Sequence, residues 1–147
     1  MAQVRRAAVS WKGNLQSGNG VLDASTSGAF STLPVTWASR TEAADGRTSP
    51  EELLAAAHAS CYSMALSSDL TKAGFSPESL DVTSVVTADR VDGKWTVISS
   101  ALTVRGRVPG VDEAQFRTIA DGAKDGCPIS RALKGNVALS VEAVLER

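Results

Sequence analysis

The sequence predicts an α+β fold in the order β-β-β-α-β-β-α-α-β, with antiparallel sheets around a central helix. Three observations carry this prediction. Ser49-Pro50-Glu51-Glu52 opens an unbroken helical pattern of more than twenty residues. Asp92-Gly93 sits between two β-rich runs, as a tight hairpin requires. Val137, Leu139, Val141, Ala143 and Leu145 alternate strictly with other residues, the period of a half-buried strand.

The elements follow in chain order. Residues 1–39 read as β. Val4 to Trp11 holds an alternating set, Gly13 and Gly18-Asn19-Gly20 supply turns, and short strands are predicted over 20–26 and 29–37. Arg40 to Thr48 is polar, contains Gly46 and reads as a loop. The helix spans 50–73. Ser49 is a good N-cap, Pro50 at the first helical position lacks only a donor that would be orphaned anyway, and Glu52 completes a capping box. Its expected apolar stripe is Leu53, Leu54, Ala57, Cys61, Met64, Ala65 and Ser68, and Lys72 and Gly74 mark its end. Strands are predicted over 80–88 and 95–107, the second stopped by Pro109-Gly110. Phe116, Ile119, Ala120 and Ala123 share one face of a helix over 112–125. Gly126-Cys127-Pro128 breaks it, and 129–134 adds a short helix before the last strand. The whole of 1–147 reads as a single domain: N-terminal strands (1–39), a central helix (50–73) and a second β/α half (80–147).

Composition narrows the function. The chain is 43% hydrophobic and 21% charged, with a formal net charge of −1, which suits a globular protein. It lacks the basic patch that a nucleic-acid partner needs. No apolar run approaches the roughly 20 residues of a membrane helix. Trp11, Lys12 and Gly13 follow Arg5-Arg6 too closely for a signal peptide. A cytoplasmic location is therefore expected. There, two cysteines are more often catalytic, redox-active or metal-binding than a static disulfide.

The two cysteines are Cys61, within the long helix, and Cys127. A lone helical cysteine is most simply packing, because free cysteine is among the most buried residue types. Cys127 precedes a proline suited to start a new helix, where backbone N–H groups lower a thiol pKa. The single histidine, His58, lies three residues before Cys61. His58 with two cysteines gives at most three ligands and lacks the paired spacing of a zinc site, so no metal is expected. His58 could serve as a base for Cys61, but a histidine beside an alanine stripe is more often structural, and Cys–His acyl-transfer chemistry would leave Cys127 without a role. If the cysteines meet in space, one can become a sulfenic acid and the other condense with it to a disulfide, reduced by an external dithiol. Burial alone would raise the attacking thiol's pKa, so that chemistry needs a cation nearby.

SPEELLAAAHASCYSMALS, followed much later by GCPISRALKGNVALSVEAVL, resembles the family of osmotically inducible protein C and the organic hydroperoxide resistance proteins (OsmC/Ohr). WKGNLQSGNG and VTWASR are similar to the OsmC branch, and the resemblance covers essentially the whole chain. It implies an intertwined homodimer with active sites at the interface and a thiol-dependent peroxidase preferring organic hydroperoxides over hydrogen peroxide. It implies that Cys61 is peroxidatic and Cys127 resolving, that Arg40 in WASR activates the thiolate, and that Glu51 in SPEEL orients Arg40. It implies no bound cofactor. The reductant would be an external dithiol, a lipoylated protein in several members.

Ten positions separate Glu51 from Cys61, about 15 Å of rise on a straight helix. One arginine cannot bridge that span, so a composite site is expected, with Arg40 and Glu51 of one subunit serving Cys61 of the other. Leu53, Leu54, Tyr62, Met64, Phe30 and Phe116 are candidates for an alkyl pocket or for simple core. Trp11, Trp37 and Trp95 are expected to pack. A non-enzymatic redox sensor using the same disulfide and a small-molecule or metal-binding protein stand as alternatives.

Overall fold

The computed structural model describes the backbone of all 147 residues and every side chain except that of Ala24. The chain divides into two units, Met1–Leu53 and Leu54–Arg147.

In the first unit, β1 (Ala7–Lys12), β2 (Asn19–Ser25) and β3 (Leu33–Val35) form an antiparallel sheet in that order. The third strand is shorter than the sequence predicts. Thr36 ends it by capping a five-residue helix, α1 (Trp37–Thr41), which falls on the end of the predicted strand and the start of the predicted loop. Thr36 Oγ1 accepts from the Ser39 N–H, and Ser39 Oγ accepts from the Thr36 N–H. This is a capping box with serine in place of the usual Glu or Gln, a weaker sequence signal.

Helix α2 (Pro50–Lys72) runs from the end of the first unit into the second. Ser49 caps it as expected, accepting from the Glu52 N–H at 3.1 Å. The reciprocal half of the capping box differs: the Glu52 carboxylate accepts from Thr48 Oγ1 at 2.8 Å. The buried stripe also differs. His58, Tyr62, Leu66 and Leu70, spaced by four, are the wholly buried residues, whereas Met64 is 68% exposed. Alanine and serine dominate both sides of the helix, so apolar spacing alone did not fix its rotation.

The second unit holds β4 (Ser79–Val91), β5 (Lys94–Arg107), α3 (Glu113–Gly126), α4 (Pro128–Leu133) and β6 (Ala138–Leu145). β4 and β5 form the predicted hairpin, with Asp92 at φ 50° and Gly93 at φ 76°. Two positive φ values in succession suit the twist of the flanking strands. β6 departs from the antiparallel expectation and pairs parallel to β5, Ser99 opposite Ala138 through Gly106 opposite Leu145. The α3–α4 segment is the crossover that a parallel pair requires.

The core of this unit gathers Tyr62, Leu66 and Leu70 of α2, Leu102 and Val104 of β5, and Phe116, Ala120 and Ala123 of α3, together with Cys127. Gly106 lets β5 approach Phe116: a Cβ there would stand 2.5 Å from Phe116 Cζ. Tyr62 and Phe116 are therefore core, not pocket wall. The Tyr62 hydroxyl donates to the Ala120 carbonyl at 2.6 Å.

Candidate active site

The structure brings the four predicted site residues together as two pairs, each within one unit. The first is ionic. Arg40 lies in the last turn of α1 and Glu51 in the first turn of α2. Ser39 Oγ donates to the Thr48 carbonyl at 2.9 Å, and the Thr48 N–H donates to the Pro34 carbonyl at 2.9 Å. These bonds fix α1 against the residue before the Ser49 cap and so hold Arg40 near Glu51. Arg40 Nη2 and Nε stand 2.8 and 2.9 Å from Glu51 Oε1, and Nε stands 3.2 Å from Oε2. Such fork-like contact orients a guanidinium far better than a single bond. Arg40 also sits 5.7 Å from the centre of the Trp37 ring, within cation–π range.

Beside this pair is an apolar cleft of about 350 Å³, lined among others by Trp11, Leu15, Leu22, Trp37, Arg40 and Leu53. Two of the tryptophans expected only to pack thus line a cavity. Of the residues predicted for an apolar pocket, Leu53 is found there.

The second pair is Cys61 and Cys127, both free thiols: Cys61 packs against the core that holds Cys127, near enough for each to act on the other's ionisation. Cys127 is the N-cap of α4, as its place before Pro128 implied, and its Sγ accepts from the Ser130 N–H at 3.4 Å. Burial pushes both thiols up. At Cys61 burial prevails over the Ile129 N–H, and the neighbouring Cys127 adds to the rise. At Cys127 the Ser130 hydroxyl and N–H, with help from Cys61 and Ile129, outweigh burial and bring the thiol below its ordinary value. Cys127 is wholly buried, whereas Cys61 is half-buried.

His58 is wholly buried and sits between two serines, Nδ1 at 2.6 Å from Ser100 Oγ and Nε2 at 2.7 Å from Ser130 Oγ. Burial lowers its pKa and so favours the neutral ring. Ser100 and Ser130 were not predicted. Serine is common, and no spacing links positions that meet only in the folded chain. Among the described residues, no three His, Cys, Asp or Glu side chains gather in a way that could hold a metal ion, and no helix is long and apolar enough to cross a membrane.

A family profile described as OsmC-like protein matches residues 43–142. The chain belongs to the OsmC-like family. It is 39% identical to peroxiredoxin OsmC of Escherichia coli over 138 residues, covering 94% of this chain and 95% of that one. The organic hydroperoxide resistance protein of Xanthomonas axonopodis is 31% identical over 91 residues, 61% of this chain and 62% of that one. The solved structure of an organic hydroperoxide resistance protein from Elizabethkingia anophelis superposes with a TM-score of 0.78 at 22% identity, covering 99% of this chain and all of that one. That likeness extends the OsmC-like fold to the whole length of the chain.

Proposed function

We propose that this OsmC-like chain is a cysteine-based peroxidase that reduces organic hydroperoxides to alcohols. The observation that carries the reading is that two free thiols, one half-buried and one wholly buried, neighbour each other in one core. Half-burial of the first suits attack on a peroxide, and a neighbouring buried thiol suits closing a disulfide on it. The names of the OsmC and hydroperoxide-resistance relatives support the same activity.

In the proposed cycle the Cys61 thiolate attacks one peroxide oxygen. The O–O bond breaks, the alkoxide leaves as the alcohol with a proton, and Cys61 becomes a sulfenic acid. Cys127 then attacks the Cys61 sulfur. The S–S bond forms, the S–O bond breaks, and the oxygen departs as water. An external dithiol, of the lipoylated-protein class, restores both thiols by exchange. No bound cofactor takes part.

The first step needs Cys61 ionised, and the surroundings of the second unit oppose that. Arg40, oriented by Glu51, is proposed to supply the missing positive charge across the interface of a homodimer. The apolar cleft beside Arg40 favours an alkyl or aryl group over hydrogen peroxide, which has no apolar part to bury.

The test is multiple-turnover consumption of cumene hydroperoxide and hydrogen peroxide with a dithiol reductant, for wild type and Cys61→Ser. Fast, Cys61-dependent loss of the organic peroxide and slower loss of hydrogen peroxide are expected. A single stoichiometric oxidation that then stops would favour a redox sensor. Peroxide loss unaffected by Cys61→Ser would remove the peroxidase reading.

A further inference from the structure

The peroxidase cycle leaves a proton to be moved. Cys127 must lose its thiol proton to attack Cys61 and regain one on reduction, yet it is wholly buried, with 0% of its surface exposed. A continuous series of polar groups leads away from its sulfur. The Ser130 N–H donates to the Cys127 sulfur at 3.4 Å, which brings the hydroxyl of the same residue beside that sulfur, and this hydroxyl lies 2.7 Å from His58 Nε2. His58 Nδ1 lies 2.6 Å from Ser100 Oγ, which lies 3.0 Å from the hydroxyl of half-buried Ser84 on β4. His58, Ser100 and Ser130 are all at most 1% exposed.

Donor arithmetic gives this chain two states. A neutral imidazole has one donor and one acceptor nitrogen, and a hydroxyl has one donor. With Cys127 a thiol, the S–H points to Ser130, Ser130 donates to Nε2, Nδ1–H donates to Ser100, and Ser100 donates to Ser84. With Cys127 a thiolate, every bond reverses: Ser84 donates to Ser100, Ser100 to Nδ1, Nε2–H to Ser130, and Ser130 to the sulfur. Both states satisfy every member. A carboxylate partner would have fixed one tautomer. Hydroxyls on both sides leave the two equally paired.

We propose that Ser84, Ser100, His58 and Ser130 relay the proton of Cys127 to and from the surface, with His58 changing tautomer as it passes. This rests on the peroxidase reading and adds a role for the one histidine beyond filling the core. In the resolving step the Cys127 proton moves to Ser130 as the Ser130 proton moves to Nε2. The Nδ1 proton moves to Ser100, the Ser100 proton to Ser84, and one proton leaves to water. The resulting thiolate displaces hydroxide from the Cys61 sulfenic acid as the S–S bond forms, and that hydroxide takes up a proton to leave as water. The ring gains a proton at one nitrogen and loses one at the other, so no cation stays in the core. His58 touches no reacting atom; it acts through Ser130.

The test uses the full chain with Ser100→Ala, which removes a link that does not touch either sulfur, and Ser100→Thr, which keeps the hydroxyl on a strand that suits a β-branched residue. In single-turnover experiments sulfenate formation at Cys61 is trapped with dimedone, and disulfide closure is followed by quenched flow. Ser100→Ala is expected to leave sulfenate formation within about twofold and to slow closure at least about tenfold, the low end for losing proton transfer. Ser100→Thr is expected to recover most of the rate. Closure by wild type should show a solvent isotope effect with a curved proton inventory that Ser100→Ala flattens. Closure is also driven with diamide, which forms an S–N bond at Cys61 that Cys127 breaks, so no peroxide is involved. A wild type that consumes no peroxide would sink the peroxidase reading while the diamide arm still reads the relay. Ser100→Ala closing at the wild-type rate in the diamide arm, with an unchanged proton inventory, overturns the relay.

Discussion

The two units solve the same problem, holding a polar group at a fixed place, by opposite means. In Met1–Leu53 the polar pair is charged and partly open to water: the Arg40 and Glu51 side chains are 29% and 12% exposed. In Leu54–Arg147 the polar set around Cys127 is uncharged and sealed in the core. Charge near the surface keeps much of its hydration, so an ion pair can be held there at little cost. The same charge in the second core would be heavily penalised, and hydroxyls and a neutral imidazole stand there instead. The difference teaches a division of labour. The first unit can hold a cation without burying it fully, and the second can hold two neighbouring thiols beside a neutral polar core.

The sharpest way to break this division is to remove the cation. Arg40→Met is expected to slow the first oxidation of Cys61 by about 10²–10³-fold, the effect of losing one electrostatic stabiliser. The pair is partly buried, and Glu51 at 12% exposure loses its partner, so Arg40→Met is also expected to lower the urea midpoint by more than loss of a surface pair would. Glu51→Gln, which leaves the guanidinium but loosens its fork, is expected to lie between Arg40→Met and wild type. Stopped-flow measurement of sulfenate formation decides it. A wild-type rate in Arg40→Met would mean that the second unit activates its own thiol.

Packing sharpens the comparison next. Gly106 and Gly20 both face a ring at a distance too short for a Cβ. At Gly106 the Cβ would meet Phe116 at 2.5 Å, and that ring is wholly buried with no room to withdraw. Gly106→Ala is expected to destabilise by roughly 1–3 kcal/mol, as overpacking does. At Gly20 the Cβ would meet Trp11 at 2.8 Å and Val35 at 2.9 Å, but Trp11 is 42% exposed and can swing outward. Gly20→Ala should cost less than about 1 kcal/mol, because alanine also restricts the unfolded chain. Urea unfolding of both variants is the measurement. Equal losses would show that the ring of the first unit is as confined as that of the second.

The same contrast explains what was legible in the sequence. Local signals were. Asp92-Gly93 gave the hairpin, the Ser49 cap gave the start of α2, and Cys127-Pro128 placed a thiol at a helix start. Each of these is settled by a few neighbouring residues. The predicted site residues came from a resemblance, Glu51, Cys61 and Cys127 in two long motifs and Arg40 in the short VTWASR, and the structure pairs them two by two. Illegible were features decided by distant contacts. The rotation of α2 was set by what covers His58, Tyr62, Leu66 and Leu70, not by its own alanine-rich pattern. The parallel register of β6 depends on a crossover, and alternation reads the same in either direction. The His58–Ser100 and His58–Ser130 contacts join residues 42 and 72 positions apart.

The smallest expected effect is on stability against pH, and it follows from the uncharged character of the second core. Burial lowers the His58 pKa below its ordinary value of 6.5, and the groups bonded to its ring, Ser100 on β5 and Ser130 on α4, carry no charge to reverse that. The folded chain therefore binds fewer protons at this residue than the unfolded chain once pH falls below about 6.5. Stability rises with pH wherever the unfolded state holds more protons. The contribution of neutral His58 is thus fully present above about pH 6.5 and is lost as pH falls from there toward the lowered folded value. Because His58 is the only histidine, a change in the urea midpoint between about pH 6.5 and 5.5 reports largely on this residue. Cys61→Ser protein, which cannot form the disulfide, is the material for the measurement. The midpoint should fall as pH is lowered through that window, and added salt should change the fall little, since the ring is out of reach of screening ions. A flat midpoint would mean that the imidazole accepts a proton in place, and the core of the second unit would then tolerate charge much as the surface of the first does.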